Sequence, residues 1–183
     1  PRKVLINMVI LLVDDQATVL SSLKSGINWT ALSIHTIYTA QNALEAKEII
    51  LSHNIDILLS DIEMPKENGL SLLRWCRQQG YTFECIFLTS HADFFYAQEA
   101  IQLGSFDYLL QPARYEDIER VIQKTILRIQ EKKQNKSWLN LGKAAFSQRN
   151  SFIKSLLHDW LFGKQNNIST LLTSLNEMDV PIQ

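Results

Sequence analysis

Residues 9–15 read VILLVDD, a run of five apolar residues that ends directly in two aspartates. An apolar run of this length, bounded by polar residues, predicts a buried strand. The same pattern recurs at residues 55–61, IDILLSD, where another predicted strand ends at Asp61. A third run, CIFL at 85–88, ends at Thr89. Repeated apolar strands that end in polar groups predict a sheet with one polar edge.

Amphipathic helical segments alternate with these strands as far as about residue 130. Strands are predicted at 9–13, 33–39, 55–60, 85–88 and 106–110, and helices at 18–25, 41–53, 70–79, 93–103 and 116–130. Strand–helix units in series predict right-handed crossovers and a parallel sheet with helices on both faces. The predicted fold class is α/β, a five-stranded, doubly wound parallel sheet followed by a helical C-terminal segment.

The last part of the chain differs from the first in charge and in pattern. Residues 1–130 contain 11 Lys and Arg against 15 Asp and Glu, whereas residues 131–183 contain 7 against 4. After a polar run at 131–136, helical periodicity returns over 138–162, and a break at 163–167 precedes a short predicted helix at 168–178. The second segment has an apolar stripe of Ile153, Leu156, Leu157, Trp160 and Leu161. We expect a domain at 1–130 and a helical linker at 131–183.

The composition excludes several classes of protein. With 46% hydrophobic and 20% charged residues, the chain is typical of globular proteins. The longest apolar run, residues 8–13, is far below the roughly 20 residues that span a bilayer. Neither half is basic enough to bind nucleic acid by charge alone. The two cysteines have no metal-type spacing, so we expect a cytoplasmic protein that does not bind a membrane.

Polar side chains at the ends of the predicted strands indicate phosphoryl chemistry. Ligands of parallel α/β sheets bind beyond the carboxyl ends of the strands, where Asp14, Asp15, Asp61 and Thr89 are expected to meet. Clustered carboxylates repel one another unless a cation lies among them, and Mg²⁺ prefers carboxylates and phosphate oxygens. One carboxylate could act as a nucleophile and form an acyl phosphate. A single strand-end acid is more often solvated or a helix cap, but the four positions together favour a site.

The motifs resemble those of the receiver domains of bacterial two-component response regulators. The matching segments are VDD at 13–15, LSDIEMP at 59–65 with Gly69 after it, FLTS at 87–90, and GSFDYLLQP at 104–112. The resemblance covers residue 9 to about residue 130 and implies a flavodoxin- or CheY-like fold. It also implies that a sensor histidine kinase is the partner and that Asp61 is the phosphoacceptor. The implied Mg²⁺ ligands are Asp14, Asp15, Asp61 and the backbone carbonyl of Glu63.

The resemblance also implies a switch, and one residue departs from the family pattern. Thr89 and Tyr108 would be the switch pair, in which Thr89 moves toward the phosphoryl group and the aromatic ring turns inward. Gln111 stands where the family normally has a lysine that pairs with the phosphoryl group. Arg114 is close in sequence and is a candidate substitute. Two functions therefore stay open: a phosphorylated receiver, and a pseudo-receiver that acts as a dimerisation module without phosphate.

Finer details of the sequence resemble receivers that precede AraC-type helix-turn-helix domains. They include Asn28-Trp29, Asp107-Tyr108 and the tail segment LLHDWLFG at 156–163. A DNA-binding domain of that type needs roughly another 100 residues, so we expect DNA contact only through a domain missing from this chain. We expect a homodimer and a signalling protein, not an enzyme. A haloacid-dehalogenase-like phosphatase is disfavoured because Glu63 stands where its second aspartate would be.

Overall fold

Five strands and five helices alternate along the part of the chain that the structure, a computed structural model, describes: residues 8–90 and 93–161, with side chains as far as residue 138. Up to the start of the last helix, the predicted elements are confirmed, with ends that differ by at most two residues. The elements are β1 Met8–Val13, α1 Ala17–Gly26, β2 Ile34–Ala40, α2 Ala43–Ser52, β3 Ile57–Ser60, α3 Gly69–Gln78, β4 Glu84–Thr89, α4 Phe94–Gln102, β5 Asp107–Leu110 and α5 Tyr115–Leu161.

All five strands form one parallel sheet in the order β2-β1-β3-β4-β5. Val13 lies opposite Ala40 in β2 and opposite Ser60 in β3, so the neighbouring strands β1 and β3 end side by side. Thr89 at the end of β4 lies opposite Leu110 in β5. The predicted fold class is confirmed, and the residues that follow these strands share one edge of the sheet.

Helices cover both faces of the sheet because side chains alternate along each strand. Ile10 and Leu12 face α1 and α5, and they belong to a core with Leu20, Leu23, Ile118 and Ile122. Leu11 and Val13 face the other way and belong to a core with Ile50, Leu72, Cys76 and Ala100 from α2, α3 and α4. Cys85 in β4 belongs to this second core, and both cysteines are fully buried.

Side-chain caps determine where three of the helices begin. The side chains of Asn42, Asn68 and Asp93 each accept a hydrogen bond from a backbone N–H in the first turn of the helix that follows. These residues are the favoured types for this position because their short polar side chains satisfy an N–H that the helix leaves unpaired. The predicted start of α2 at residue 41 was therefore two residues too early.

The predicted end of α5 was wrong. We expected it near Gln130, with a polar run at 131–136 after it, but α5 continues from Tyr115 to Leu161. The polar run contains Glu, Lys and Gln, which are good helix formers, and it contains neither Gly nor Pro. The helix therefore continues through this polar segment, although the segment has no apolar residues to pack.

The chain divides into two compact units, Pro1–Gln130 and Glu131–Gln183, each described by itself. Their predicted roles as domain and linker stay predictions. The break at 163–167 and the short helix at 168–178 lie outside the described residues, as do the side chains of the apolar stripe. Within the described chain, no helix combines the length and the apolar character needed to cross a membrane.

Candidate functional site

Three carboxylates meet at the carboxyl edge of the sheet, as the sequence predicts. Asp14 and Asp15 follow β1, and Asp61 follows β3, the adjacent strand. Each offers one carboxylate oxygen, and these oxygens all lie within 4.8 Å of one another. Asp14 is 4% exposed, whereas the other two are half-buried. The cluster is therefore open enough to bind a small ion or a phosphoryl group and buried enough to make its charges interact.

Burial is the main reason that Asp14 has an unusual pKa. The pKa of this carboxyl is raised from 3.8 to about 6 in all: burial raises it most, a hydrogen bond from the Gln16 N–H to Oδ1 (2.9 Å) lowers it, and the nearby charges of Asp61 and Asp15 add to the rise. Ionisation of Asp14 is thus costly while the cluster holds no cation. A hard divalent cation would offset this cost, because Mg²⁺ takes carboxylate oxygens as ligands. The donor set fits Mg²⁺.

Asp61 is held by the backbone that follows it. Burial raises the pKa of its carboxyl, and the N–H groups of Ile62 and Glu63 oppose this by hydrogen bonding to the carboxylate. The Ile62 N–H lies 2.7 Å from Oδ1. The Ser60 hydroxyl donates to the Asp61 carbonyl at 2.7 Å. The carboxylate and the main chain of the predicted phosphoacceptor are therefore both fixed by hydrogen bonds.

The loop between β3 and α3 folds tightly against Asp61. Its ends are joined by a hydrogen bond of 2.9 Å from the Gly69 N–H to the Ile62 carbonyl. A Cβ atom at Gly69 would lie 2.2 Å from the Asp61 carbonyl oxygen, so only glycine fits there. Farther along the loop, Glu67 receives two hydrogen bonds of 2.7 Å from Lys47 of α2. These contacts fix the loop that carries the predicted metal ligand Glu63.

The other predicted site residues lie at the ends of β4 and β5. Thr89 is fully buried at the last position of β4. The Gln111 N–H donates to the Thr89 carbonyl at 2.8 Å, which extends the β4–β5 pairing by one residue. The Ser90 hydroxyl donates to Oε1 of Gln111 at 3.3 Å. The structure therefore joins Thr89, Ser90 and Gln111 across the ends of two neighbouring strands.

Tyr108 and Arg114 lie in different environments. Tyr108 is half-buried against the core formed with α2, α3 and α4, and burial raises the pKa of its phenol while a hydrogen bond from the Asp93 backbone opposes this. Arg114 is exposed, directly precedes α5 and donates to Asp117 at 3.0 Å, so its guanidinium is paired with the first turn of that helix. The switching role of Tyr108 and the substitution by Arg114 stay predictions.

Several contacts of the site were missed by sequence reasoning. Gln16 and Ser60 adjoin the acidic residues in sequence, yet they act through a backbone N–H and a hydroxyl that no pattern singles out. Ser90 belongs to the FLTS motif, but nothing in that motif indicates its hydrogen bond to Gln111, which lies 21 positions away. The glycine after the Asp61 motif was the one available signal, because glycine is the usual residue where two backbone segments approach closely.

Comparison with known proteins agrees with this geometry. The model of the family described as "Response regulator receiver domain" matches residues 10–123. An uncharacterized response regulatory protein of Staphylococcus epidermidis is 30% identical over 123 residues, which are 67% of this chain and 48% of the relative. The transcriptional regulatory protein HptR of Staphylococcus aureus is 32% identical over 119 residues, 64% of this chain and 46% of that protein. The chain spans about half the length of these curated relatives.

Solved structures show the same fold. The REC domain of AraT, a response regulator from Geobacillus stearothermophilus, matches with a TM-score of 0.65 and 30% identity, covering 70% of this chain and 99% of that one. A two component transcriptional regulator AraC from Clostridium phytofermentans matches with a TM-score of 0.64 and 28% identity, covering 68% and 97%.

Proposed function

This chain belongs to the response regulator receiver family, and from that premise we propose that it is switched by phosphorylation of Asp61. The observation that carries the proposal is the meeting of Asp14, Asp15 and Asp61 at the edge of the sheet, with oxygens within 4.8 Å. This arrangement combines a candidate nucleophile with a candidate metal site. Phosphoryl transfer needs little covalent chemistry from a protein beyond positioning and charge stabilisation.

In the proposed reaction, a carboxylate oxygen of Asp61 attacks the phosphorus of a phosphohistidine on a sensor histidine kinase. A new P–O bond forms as the P–N bond breaks, and the histidine ring regains its nitrogen lone pair. The hydrogen bonds from Ile62 and Glu63 hold the Asp61 carboxylate in place during attack. Asp14, Asp15, Asp61 and the Glu63 carbonyl would hold Mg²⁺, which when bound would offset the negative charge of the carboxylates and the phosphoryl group.

After transfer, we propose that Thr89 and Tyr108 respond to the phosphoryl group as a switch pair. Thr89 supplies a hydroxyl beside the strand that carries Asp61, because β4 adjoins β3 in the sheet. Tyr108 lies in β5, next to β4, and packs against the core on the side of α4. The result would be a changed surface around β4 and β5 that a partner can recognise. The protein would then act as a signalling switch and not as an enzyme that turns over a substrate.

The whole protein would be a cytoplasmic homodimeric regulator of transcription. Two named proteins support this: HptR is a transcriptional regulatory protein, and one matched structure is a two component transcriptional regulator AraC. We therefore propose the AraC-type subfamily, with DNA bound by a domain beyond the part of such proteins that this chain covers.

A second function, a pseudo-receiver that dimerises without phosphate, is favoured by one observation. Gln111 carries no charge, so the site lacks the cation that the family normally places beside the phosphoryl group. Acidic surroundings without that cation would slow the attack of Asp61 on a negatively charged donor.

The test is incubation with acetyl phosphate and Mg²⁺, read by intact mass. We expect one added phosphate in the parent chain and none in Asp61→Asn. Asp56→Asn is the matched control, because Asp56 precedes β3 at the opposite edge, where its carboxylate accepts the Val9 N–H, and asparagine keeps an acceptor oxygen. Label that persists in Asp61→Asn contradicts the proposed phosphoacceptor. Absence of label from all three chains supports the pseudo-receiver.

A further inference from the structure

Gln111 brings no positive charge to the position where the family normally has a lysine. The three carboxylates at the site bring only negative charge, and Arg114, the nearest cation in sequence, is paired with Asp117 at 3.0 Å. Any stabilisation that this position gives to a phosphoryl group must therefore come from the neutral carboxamide of Gln111. A neutral donor is weaker than a charged one and depends more on its orientation.

The structure supplies an orienting contact. The Ser90 hydroxyl donates to Oε1 of Gln111 at 3.3 Å, while the Gln111 backbone N–H donates to the Thr89 carbonyl at 2.8 Å. Hydrogen bonds thus hold both the backbone and the side chain of Gln111 against the residues at the end of β4. A lysine at this position could not accept the hydrogen bond that Ser90 donates, because an ammonium group has three donors and no acceptor.

A carboxamide held by its oxygen still has two N–H donors. The strand β4 lies between β5 and β3, so Gln111 and Asp61 follow strands that are about 10 Å apart. A phosphoryl group on Asp61 would extend into this gap. In that case the Ser90 hydroxyl would bind one end of the Gln111 amide and a phosphoryl oxygen would bind the other.

We propose that Ser90 is a positioning residue, which holds the Gln111 oxygen so that the amide N–H groups donate to a phosphoryl oxygen on Asp61. The inference rests on the proposed function and names the way in which this chain replaces the usual lysine. Ser90 acts only through Gln111, so its effect must disappear when residue 111 can no longer accept its hydrogen bond.

The experiment measures the initial rate of Asp61 labelling by acetyl phosphate with Mg²⁺. We expect Ser90→Ala to lower the rate about three- to tenfold, since a lost neutral hydrogen bond accounts for a factor of this size. Ser90→Thr, which keeps the hydroxyl, should stay near the parent rate. In the Gln111→Lys background, Ser90→Ala should have no effect on the rate.

The structure provides room and a control for these variants. Gln111 lines a cavity of about 210 Å³ together with Leu88 and Pro112, so a lysine side chain has space at this position. Ser52→Ala is the matched control, because this hydroxyl donates to the Glu48 carbonyl in α2, away from the site. Thermal melting of each variant shows that it is folded.

Each outcome decides the matter. An equal loss from Ser90→Ala in both backgrounds overturns the inference, because Ser90 would then act without Gln111. An unchanged or higher rate in Ser90→Ala also overturns it, while label on the parent leaves the proposed function intact. Label that appears only after Gln111→Lys means that Gln111 does not replace the lysine. If neither the parent nor Gln111→Lys is labelled, the proposed function fails and the inference fails with it.

Discussion

At the scale of single residues, Asp14 makes the stability of the metal-free chain depend on pH. Its folded pKa of about 6 lies above the ordinary 3.8, so the folded chain holds this proton more tightly than the unfolded chain does. The resulting stabilisation is complete below about pH 4 and is lost as the pH rises through about 6. We expect the free energy of unfolding without metal to fall by about 1–3 kcal/mol across this window.

Urea unfolding between pH 4 and pH 7.5 in the presence of a chelator measures this loss. Asp14→Asn keeps an acceptor for the Gln16 N–H but cannot ionise, so its stability should fall less over the same range. Added Mg²⁺ should stabilise the parent more at pH 7.5 than at pH 5, because metal ligands must be deprotonated. The same pH slope in the parent and in Asp14→Asn would contradict the assignment to this carboxyl.

Gly69 is the second residue with a definite expected effect. In Gly69→Ala, the new Cβ would overlap the Asp61 carbonyl oxygen, and this backbone atom cannot move without moving Asp61. We expect a loss of about 1–3 kcal/mol in the free energy of unfolding and a clear loss of Asp61 labelling by acetyl phosphate.

Gly80→Ala is the matched comparison for this change. Gly80 has a φ of +83° but open space around its Cβ position, so its substitution costs backbone strain alone. It should lower the melting temperature and leave labelling unchanged. Normal labelling in a folded Gly69→Ala protein would mean that the close approach does not position Asp61.

How far the site could be predicted depends on the kind of contact. Asp14, Asp15 and Asp61 were predictable because each directly follows an apolar strand, and parallel strands end at one edge. The Ser90–Gln111 hydrogen bond was not predictable, because it depends on the rotamers of two side chains that follow different strands. The proximity of Gly69 to Asp61 was not predictable either, since it depends on the path of the loop.

At the scale of helices and strands, Arg77 joins three elements. Its guanidinium donates to the carbonyls of Tyr81 (2.9 Å), Phe83 (3.0 Å) and Leu103 (3.2 Å), and it lies 5.6 Å from the centre of the Phe83 ring. The end of α3, the approach to β4 and the end of α4 are thereby held together. A lysine cannot make this set of contacts, because its ammonium group is a single point.

We expect Arg77→Lys to lower the free energy of unfolding by about 1–3 kcal/mol, measured from the urea midpoint. Arg74→Lys is the matched control, because Arg74 is half exposed and pairs only with Glu99 among the contacts described for it. An exposed ion pair of this kind contributes at most about 1 kcal/mol. Equal losses from the two substitutions would show that the carbonyl contacts of Arg77 add nothing.

The elements themselves were largely predictable, and the errors have physical causes. Strand β1 was found because its residues are continuously apolar, as expected for a strand buried on both faces. The start of α2 depends on the residue that caps it, and the Asn42 side chain does so by accepting the Glu45 N–H. The continuation of α5 past Gln130 depended on helix propensity in a segment without an apolar pattern.

At the scale of the whole molecule, we expect the chain to self-associate through its second unit. The stripe of Ile153, Leu156, Leu157, Trp160 and Leu161 lies on a helix in the sequence prediction, and burial of one such side chain contributes about 1.5–3 kcal/mol. Three surfaces could bury this stripe: a second copy of the chain, the first unit of the same chain, or the predicted helix at 168–178. Closed dimers are the commonest assembly, so we expect the second copy.

Sedimentation of the full chain against a chain that ends at Gln130 tests this expectation. The full chain should sediment as a dimer and the shorter chain as a monomer. If both are monomers at high micromolar concentration, the stripe packs within its own chain and the dimer prediction fails.

The burial of both cysteines makes the molecule suitable for single-site covalent labelling. Cys76 and Cys85 are the only thiols in the sequence, burial raises the pKa of Cys76 to about 11, and burial raises that of Cys85 as well. Because maleimides and iodoacetamides react with thiolates, both native thiols should react slowly in the folded protein. A cysteine introduced on the exposed side of α2, as in Leu51→Cys, would then carry a fluorophore without removal of either native cysteine.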